Sequence, residues 1–549
     1  MAMAVAMAMV LTSSSVLVFL LWIQSVASSP DHIVTYGQQD LNLVSGKRFL
    51  WPFPASVNQG HGVASLSQEF KFVQLASDGR ASDNLKSAFY RYYGIIFSQH
   101  SLHGGSSLLL DQTLVLKQLQ VHVHSQNEEL QLGIDESYEL SVPDSEDPTA
   151  ASLKARTIYG ALRGLETFSQ LCAFNFTTRT IQVQNTPWEI LDRPRFEYRG
   201  LLIDTSRHYQ PLEVIRSVID SMAYAKLNVL HWHIVDTESF PIEVPSFPDL
   251  WNGAYSNPER YTLEDAKDIV EYARLRGINV MAELDVPGHA RSWGNGYPNL
   301  WPSSNCTQPL DVSNKFTFEV IDGIISDFAE VFRFKLMHLG GDEVDTTCWN
   351  VTPHIRAWLI EQNLSPFGAY EQFVLRAQKI ALSHGYRPVN WEEPFDKFGS
   401  KLNNETVVHN WLGPGVAPEV VKAGYQCIVS NQDAWYLDHL DVPWETFYQN
   451  EPLAGITDTE QQKLVLGGEV CMWGESVDAS DIQQTIWPRA AAAAEKLWSP
   501  LEVTKAGVST ALPRLEIFRC LLTERGIAAA PVRELGRKAP PGYGSCYEQ

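Results

Sequence analysis

The sequence predicts a (β/α)8 barrel, a TIM barrel of the α/β class, preceded by a small α/β domain. Three observations carry this prediction. Eight short apolar runs recur after Phe196, helical stretches fall between them, and each run ends in polar or aromatic residues. Strands buried on both faces read as near-continuous apolar runs, and their alternation with helices makes the sheet parallel. The runs are Arg199–Asp204, Val229–Asp236, Asn279–Asp285, Leu336–Gly341, Arg387–Trp391, Thr406–Trp411, Cys427–Ser430 and Leu466–Trp473. Helical spacing marks Pro211–Ala225, Thr262–Arg276, Ala369–His384 and Ile486–Trp498 between or after them. A doubly wound sheet would use fewer strands and a glycine-rich phosphate turn, and no G-x-G-x-x-G follows the first run.

Upstream the pattern differs. Thr113–His124 and Ser137–Val142 alternate with period two, and Leu153–Leu171 carries apolar residues at helical spacing. Residues 31–190 are therefore expected to form the small domain, with Trp51-Pro52-Phe53-Pro54 as its anchored start. Asp192-Arg193-Pro194-Arg195 marks the boundary, and residues 195–549 hold the barrel and a C-terminal tail.

Residues 1–27 lie outside the fold. They carry no charged residue, Val16–Ile23 is an unbroken apolar run, and Ser25-Val26-Ala27 has the small-x-small form of a signal-peptidase site. A cleaved signal peptide puts the remainder in the secretory pathway with no stable membrane span; the alternative is an uncleaved membrane anchor, since the whole stretch is long enough to span. Five N-glycosylation sequons agree with that route: Asn175, Asn305, Asn350, Asn363 and Asn404. Seven cysteines in 549 residues make disulfides accessories; Cys427 and Cys471, inside apolar runs, read as buried inert thiols. Lys and Arg total 42 against 64 Asp and Glu, a net charge of −22. Such a chain is a poor binder of nucleic acid, which needs clustered cations to neutralise phosphates.

A barrel demands its chemistry just beyond the strand ends. Those positions hold Arg207, Asp236, His289, Asp342-Glu343, Trp391-Glu392-Glu393, Trp411, Tyr436-Leu437-Asp438 and Trp473-Gly474-Glu475. Two adjacent carboxylates repel, so one is held ionised and the other is pushed towards protonation, as acid catalysis of a glycosidic bond requires. The alternative for Asp342-Glu343 is a helix cap. Trp391, Trp411, Tyr436 and Trp473 come from successive strand ends and can wall a sugar-sized pocket; core packing is the alternative for each ring. His231 and His233, two apart on one strand face, could share a metal, which makes a metal-dependent hydrolase the rival function. Too few further ligands follow, so no metal is expected.

Five of these segments resemble, in order, the signatures of the β-N-acetylhexosaminidases, family 20 of the glycoside hydrolases. They are Leu202-Ile203-Asp204-Thr205-Ser206-Arg207-His208-Tyr209, His231-Trp232-His233-Ile234-Val235-Asp236, Asp285-Val286-Pro287-Gly288-His289, His338-Leu339-Gly340-Gly341-Asp342-Glu343 and Cys471-Met472-Trp473-Gly474-Glu475. Gly160-Ala161-Leu162-Arg163-Gly164-Leu165-Glu166-Thr167-Phe168 extends the resemblance into the small domain, and plant enzymes of the vacuolar type are the nearest in kind. The resemblance implies an exo-acting, retaining enzyme that removes terminal β-linked N-acetylglucosamine or N-acetylgalactosamine from N-glycans and chitooligosaccharides. The substrate's own 2-acetamido oxygen attacks and forms an oxazolinium. Glu343 would be the general acid, Asp342 would hold the acetamido N–H and support the cation, and Tyr436 would bind the acetamido carbonyl. Trp391, Trp411 and Trp473 would enclose the sugar. Arg207 and Glu475 would bind outer hydroxyls. Asp236 and His289 would tune Glu343, with Asp285 nearby, and Asp438 would disfavour sulfated substrates.

The resemblance further implies bridges Cys306–Cys348 and Cys520–Cys546, no cofactor, a homodimer, and a vacuolar or, second, apoplastic location. A glycan-binding relative without activity would lack Asp342 or Glu343, and both are present. Among so many carboxylates, Glu343 is expected to keep its proton above its ordinary value while Asp342 stays ionised.

Overall fold

The computed structural model describes residues 50–75, 82–103, 114–144 and 146–533. The expected signal peptide and Cys546 lie outside the described residues. The first domain is a six-stranded mixed sheet backed by two helices. Its elements are β1 (Ser56–Leu75), α1 (Asp83–His103), β2 (Leu114–Val123), β3 (Tyr138–Val142), β4 (Ala150–Ala155), α2 (Ile158–Leu171), β5 (Cys172–Asn175) and β6 (Thr180–Asp192). The sheet order is β1-β2-β4-β3-β6-β5. The long β1 pairs with both β2 and β6, parallel to the first and antiparallel to the second.

The expected helix from Leu153 is corrected here. Residues Ala150–Ala155 are a strand between β2 and β3, and the helix starts only at Ile158. Thr157 sets that start, its hydroxyl accepting from the Gly160 N–H at 3.2 Å. The helical spacing runs only from Ile158 onward; Leu153 belongs to the strand, and its side chain packs against Gly164, where a Cβ would come within 2.2 Å of it.

The second domain is a closed parallel barrel of β7 (Tyr198–Asp204), β8 (Val229–Val235), β9 (Asn279–Leu284), β10 (Leu336–His338), β11 (Arg387–Trp391), β12 (Val407–Asn410), β13 (Gln426–Val429) and β14 (Val465–Met472). Each of the eight expected strands is present, in chain order around the barrel. Its helices include α3 (Leu212–Tyr224), α4 (Leu263–Arg274), α5 (Lys315–Ala329), α6 (Pro366–Ser383), α7 (Arg489–Trp498) and α8 (Val508–Glu524). Thr262 opens α4 with a capping box to Asp265.

The two domains pack as one compact unit. Trp51, fully buried, donates its indole N–H to the Ala491 carbonyl at 3.1 Å. Glu136 from the small domain bridges Arg163 and the barrel's Arg199. Asp192, at the expected boundary, accepts from Lys226 at 2.8 Å and from the Trp498 indole. A buried charge is held here because each has its partner, so the joint is fixed. No described helix is long and apolar enough to cross a membrane.

Candidate active site

The loop after β10 is shaped by its neighbour after β9. Strand β10 stops at His338 because Gly340 and Gly341 turn into positive φ, at 57° and 101°. A Cβ on Gly340 would lie 1.9 Å from Asp285 Oδ1, so only glycine lets that carboxylate approach. Asp285 Oδ1 accepts the Gly341 N–H at 2.8 Å, the Asn390 amide holds the Gly340 carbonyl at 2.9 Å, and Tyr370 Oη holds the Gly341 carbonyl. This pinned turn delivers Asp342 and Glu343. Glu343 itself has φ 49° and His289 has φ 48°. Left-handed backbone at non-glycine residues is costly and clusters at functional sites.

His289 reaches the same place from the β9 loop. Its Nε2 lies 3.5 Å from Glu343 Oε2 and 3.7 Å from Asp342 Oδ2, and its Nδ1 lies 3.0 Å from Asp236 Oδ1. Arg207 closes the opposite side. Its guanidinium contacts Asp204 at 3.0 Å, Asp236 at 2.8 Å, Glu238 at 3.1 Å and Glu475 at 3.5 Å, and it lies over the Trp473 ring. Asp204 also accepts the Gly474 N–H at 3.0 Å, which ties the β7 and β14 loops together.

The expected aromatic wall is assembled. Trp411 stacks on Tyr436 at 14° between planes, Tyr436 lies 6.1 Å from Trp473, and Trp473 lies 5.8 Å from Trp391. Asp342 Oδ1 and Asp438 Oδ1 are buried and lack a hydrogen-bond partner within the protein. Unpaired buried acceptors are costly, and these sit where the sequence places a substrate.

The charges depart from expectation. Burial, and then the charge of Asp285, push Asp342 well above the usual carboxylate range. Asp285 itself is pushed up to about 6, first by burial. Glu343 is held below its ordinary value, first by its hydrogen bond with His289. The expected assignment, proton on Glu343 and charge on Asp342, is thus reversed in this structure. Counting nearby carboxylates omitted the imidazole. Burial opposes a cation on His289, but Asp285 and Asp342 outweigh it and keep the ring protonated. Glu343 also escapes most desolvation, its side chain being 61% exposed. Burial also pushes Asp438 up to about 6.

Sequence reasoning placed Glu392 and Glu393 at a strand end without a role, and it missed other supporting groups. Glu393 accepts the Trp411 indole at 2.8 Å and is pushed up to about 7, first by burial and then by Asp342. Glu392 accepts the backbone N–H groups of Trp411 and Leu412. Glu238, Asp204 and Tyr370 brace Arg207 and the β10 turn. Trp391-Glu392-Glu393 was visible as a strand-end cluster, whereas nothing marks Tyr370. Among the described residues, three side-chain groups have metal-like spacing: His231–Glu283–His338, His231–His409–Glu469 and Asp285–His289–Asp342. Each His231 nitrogen already faces a carboxylate, and both His409 nitrogens face His338 and Ser430. No metal ligands are assigned. Cys306 and Cys348 form a disulfide just beyond the Glu343 turn. Cys520 is also disulfide-bonded, and Cys427 and Cys471 are buried free thiols. Asn305, Asn350, Asn363 and Asn404 are exposed, and Asn175 is half-buried.

Carboxylates set against flat aromatic rings are the means of acid-catalysed glycoside cleavage, and this barrel presents both at one end. Fold and site together define a glycoside hydrolase. Residues 196–501 match the catalytic domain of glycosyl hydrolase family 20, and residues 50–171 match a domain described as beta-acetyl hexosaminidase like. Beta-hexosaminidase 3 of Arabidopsis thaliana is 59% identical over 502 residues, covering 91% of this chain and 94% of that one. Human beta-hexosaminidase subunit beta is 37% identical over 504 residues, 88% of each chain. The solved chitobiase of Flavobacterium johnsoniae superposes with a TM-score of 0.75 at 30% identity, over 87% of this chain and 73% of that one. The chain belongs to glycosyl hydrolase family 20, the β-hexosaminidases that release terminal N-acetylglucosamine with retention through the substrate's own acetamido group.

Proposed function

We propose that this chain removes single non-reducing β-linked N-acetylglucosamine and N-acetylgalactosamine residues from N-glycans and chitooligosaccharides. The observation that carries the reading is the Asp342-Glu343 turn, braced by Asp285 and His289 beneath an aromatic wall. Glu343 acts as general acid to the leaving oxygen and then as base to water. The acetamido oxygen attacks the anomeric carbon, so no protein carboxylate needs to. Asp342 takes the acetamido N–H on its unpaired Oδ1 and supports the oxazolinium charge. Tyr436 holds the acetamido carbonyl between Trp411 and Trp473.

Substrate would invert the two carboxyls. Positive charge at the anomeric centre favours an ionised Asp342, and the leaving group desolvates Glu343. The proton that Asp342 holds is then needed on Glu343. Arg207 and Glu475 face the outer hydroxyls and close the pocket after one sugar. The same reading takes the protein through the secretory pathway to the vacuole, as a glycosylated homodimer.

The test compares hydrolysis of a 4-nitrophenyl β-N-acetylglucosaminide and the plain β-glucoside, with and without EDTA. The glucoside lacks the internal nucleophile and should be cleaved negligibly, and EDTA should change nothing. Equal turnover of the two glycosides, or a glycosyl group trapped on a protein carboxylate, would refute the mechanism.

A further inference from the structure

The hydrogen-bond chain that begins at Glu343 continues below Asp236 into the barrel. Asp236 Oδ2 lies 2.8 Å from His233 Nε2, and His233 Nδ1 lies 2.6 Å from Glu283 Oε2. Glu283 is fully buried. Its Oε2 also faces His231 Nε2 at 3.0 Å, while its Oε1 accepts the Trp391 indole N–H at 2.9 Å and faces His338 Nδ1 at 2.9 Å. Four side chains from three strands thus converge on two oxygens. Farther out, Glu469 faces the other nitrogen of His231, and His409 faces His338.

A count of donors fixes the charge state. A neutral imidazole carries one N–H and can satisfy one acceptor. His233 has a carboxylate at each nitrogen, so both bonds form only if it is an imidazolium. His231 differs: its Nδ1 bonds Glu469 at 2.8 Å, while its Nε2 lies 3.0 Å from Glu283 without a hydrogen bond. Directly below, the inward position on the same strand is Met281, which lies in an apolar layer. The barrel closes there without any charge. A buried carboxylate is costly unless fully paired, so this polar layer calls for a reason beyond closing the fold.

We propose that Glu283 is a positioning residue that couples the two halves of the site. Through Oε1 it fixes Trp391, one wall of the sugar pocket. Through Oε2 it holds His233 as a double donor, which locks Asp236 and, through it, His289 against Glu343. The proposal rests on the hydrolase reading above and adds to it a residue that touches no substrate.

The test is Glu283→Gln in the full-length glycosylated enzyme, assayed on the 4-nitrophenyl N-acetylglucosaminide from pH 3 to 9. Gln keeps the shape and removes the charge that makes His233 an imidazolium. His233 then reverts to one N–H, and Asp236 loses one of its three cationic partners, keeping Arg207 at 2.8 Å and His289 at 3.0 Å. The field at Glu343 becomes more negative, so the alkaline limb of kcat/KM should move up by about half a pH unit or more. Turnover should fall at least tenfold. Trp391→Phe removes only the indole arm and should raise KM without moving the limb. His233→Gln cuts only the other arm and should move the limb; it also serves if Glu283→Gln does not fold. A limb unmoved in both charge-arm variants, with any lost activity matching lost folded protein, would make Glu283 a purely structural group and sink the proposal. A wild-type enzyme inactive on the N-acetylglucosaminide would sink the hydrolase reading together with it.

Discussion

The interior of this barrel has two layers that differ in kind. The lower holds Val229, Met281, Leu336, Val389, Val407 and Ile428, packed without a charge. One step up the same strands stand His231, Glu283, His338, Trp391 and His409, linked by polar contacts of 2.9–3.3 Å. Inward positions recur every second residue along a strand, so a shift of two residues separates the layers. The backbone that builds them is the same. The lower layer is held chiefly by burial, which is non-directional and tolerant of exchange among apolar residues; its one polar member, Tyr198, donates its hydroxyl to Glu469 above it. The upper layer is directional, and each member depends on its neighbours' protonation. Stability and chemistry are therefore stacked rather than mixed.

The largest expected effect lies at the open end. Glu343→Gln should lower kcat by about a hundredfold or more on glycans with poor leaving groups, the scale of a lost general acid. An activated aryl glycoside should suffer less. Near-normal turnover of a chitooligosaccharide by this variant would place the acid elsewhere. Next in size is a change in the lower layer. Ile428→Ala should cost about 2–5 kcal/mol of stability by leaving a cavity, with KM and the pH profile of the remaining folded enzyme unchanged. A displaced profile would show that the two layers are coupled after all.

How much of this was legible in the sequence follows the same division. All eight barrel strands could be read, because strands buried on both faces are short apolar runs that survive any context. The strand-end residues followed from the barrel rule, and the structure brings Arg207, Asp236, His289, Asp342, Glu343 and the four rings together. Strand β4 was lost because the helical spacing that begins at Ile158 was extended back over Leu153. Strand β1 was lost because its outer half is polar and interrupted by Gly60 and Gly62. The charge states could not be read either. They depend on which nitrogen faces which oxygen, as His289 shows by holding Glu343 low. Nor could Glu283 be singled out, since one carboxylate in an apolar run shows none of the four side chains it will meet.

A third prediction probes that imidazole. His289→Ala removes the cation that holds Glu343 ionised, so the carboxyl should take up its proton more readily. Activity requires that proton, and the alkaline limb of kcat/KM should move to higher pH by about one unit while kcat falls. Wild-type activity should peak on the acid side. A limb that moves to lower pH in His289→Ala would mean that His289, and not Glu343, donates the proton.

The smallest expected effect concerns stability rather than rate. Glu392 is fully buried and is pushed up to about 7 by burial, against the hydrogen bonds that Asn410, Trp411 and Leu412 offer its charged form. Unfolded, the same side chain would release its proton near its ordinary value of about 4.3. The folded state therefore binds this proton more tightly than the unfolded state does. Its contribution is fully present below the unfolded value and is lost as pH rises through about 7. Glu393, also pushed up to about 7, has the same sign, and so does His231, raised to about 9 by Glu469 and Glu283 against burial. The depressed carboxyls, Asp236 and Glu283, stay ionised throughout this window and add no slope. His122, His338 and His409, lowered first by burial, oppose the decline near the free imidazole value, and the raised groups, Asp285 and Asp438 among them, outnumber them. The melting temperature should thus decline from pH 5 to pH 8. Glu392→Gln, which cannot ionise, should flatten the decline while leaving the value at pH 5 nearly unchanged. A melting temperature that rises towards pH 8, or an equally steep decline in Glu392→Gln, would show that this carboxyl is already ionised in the folded protein at acid pH.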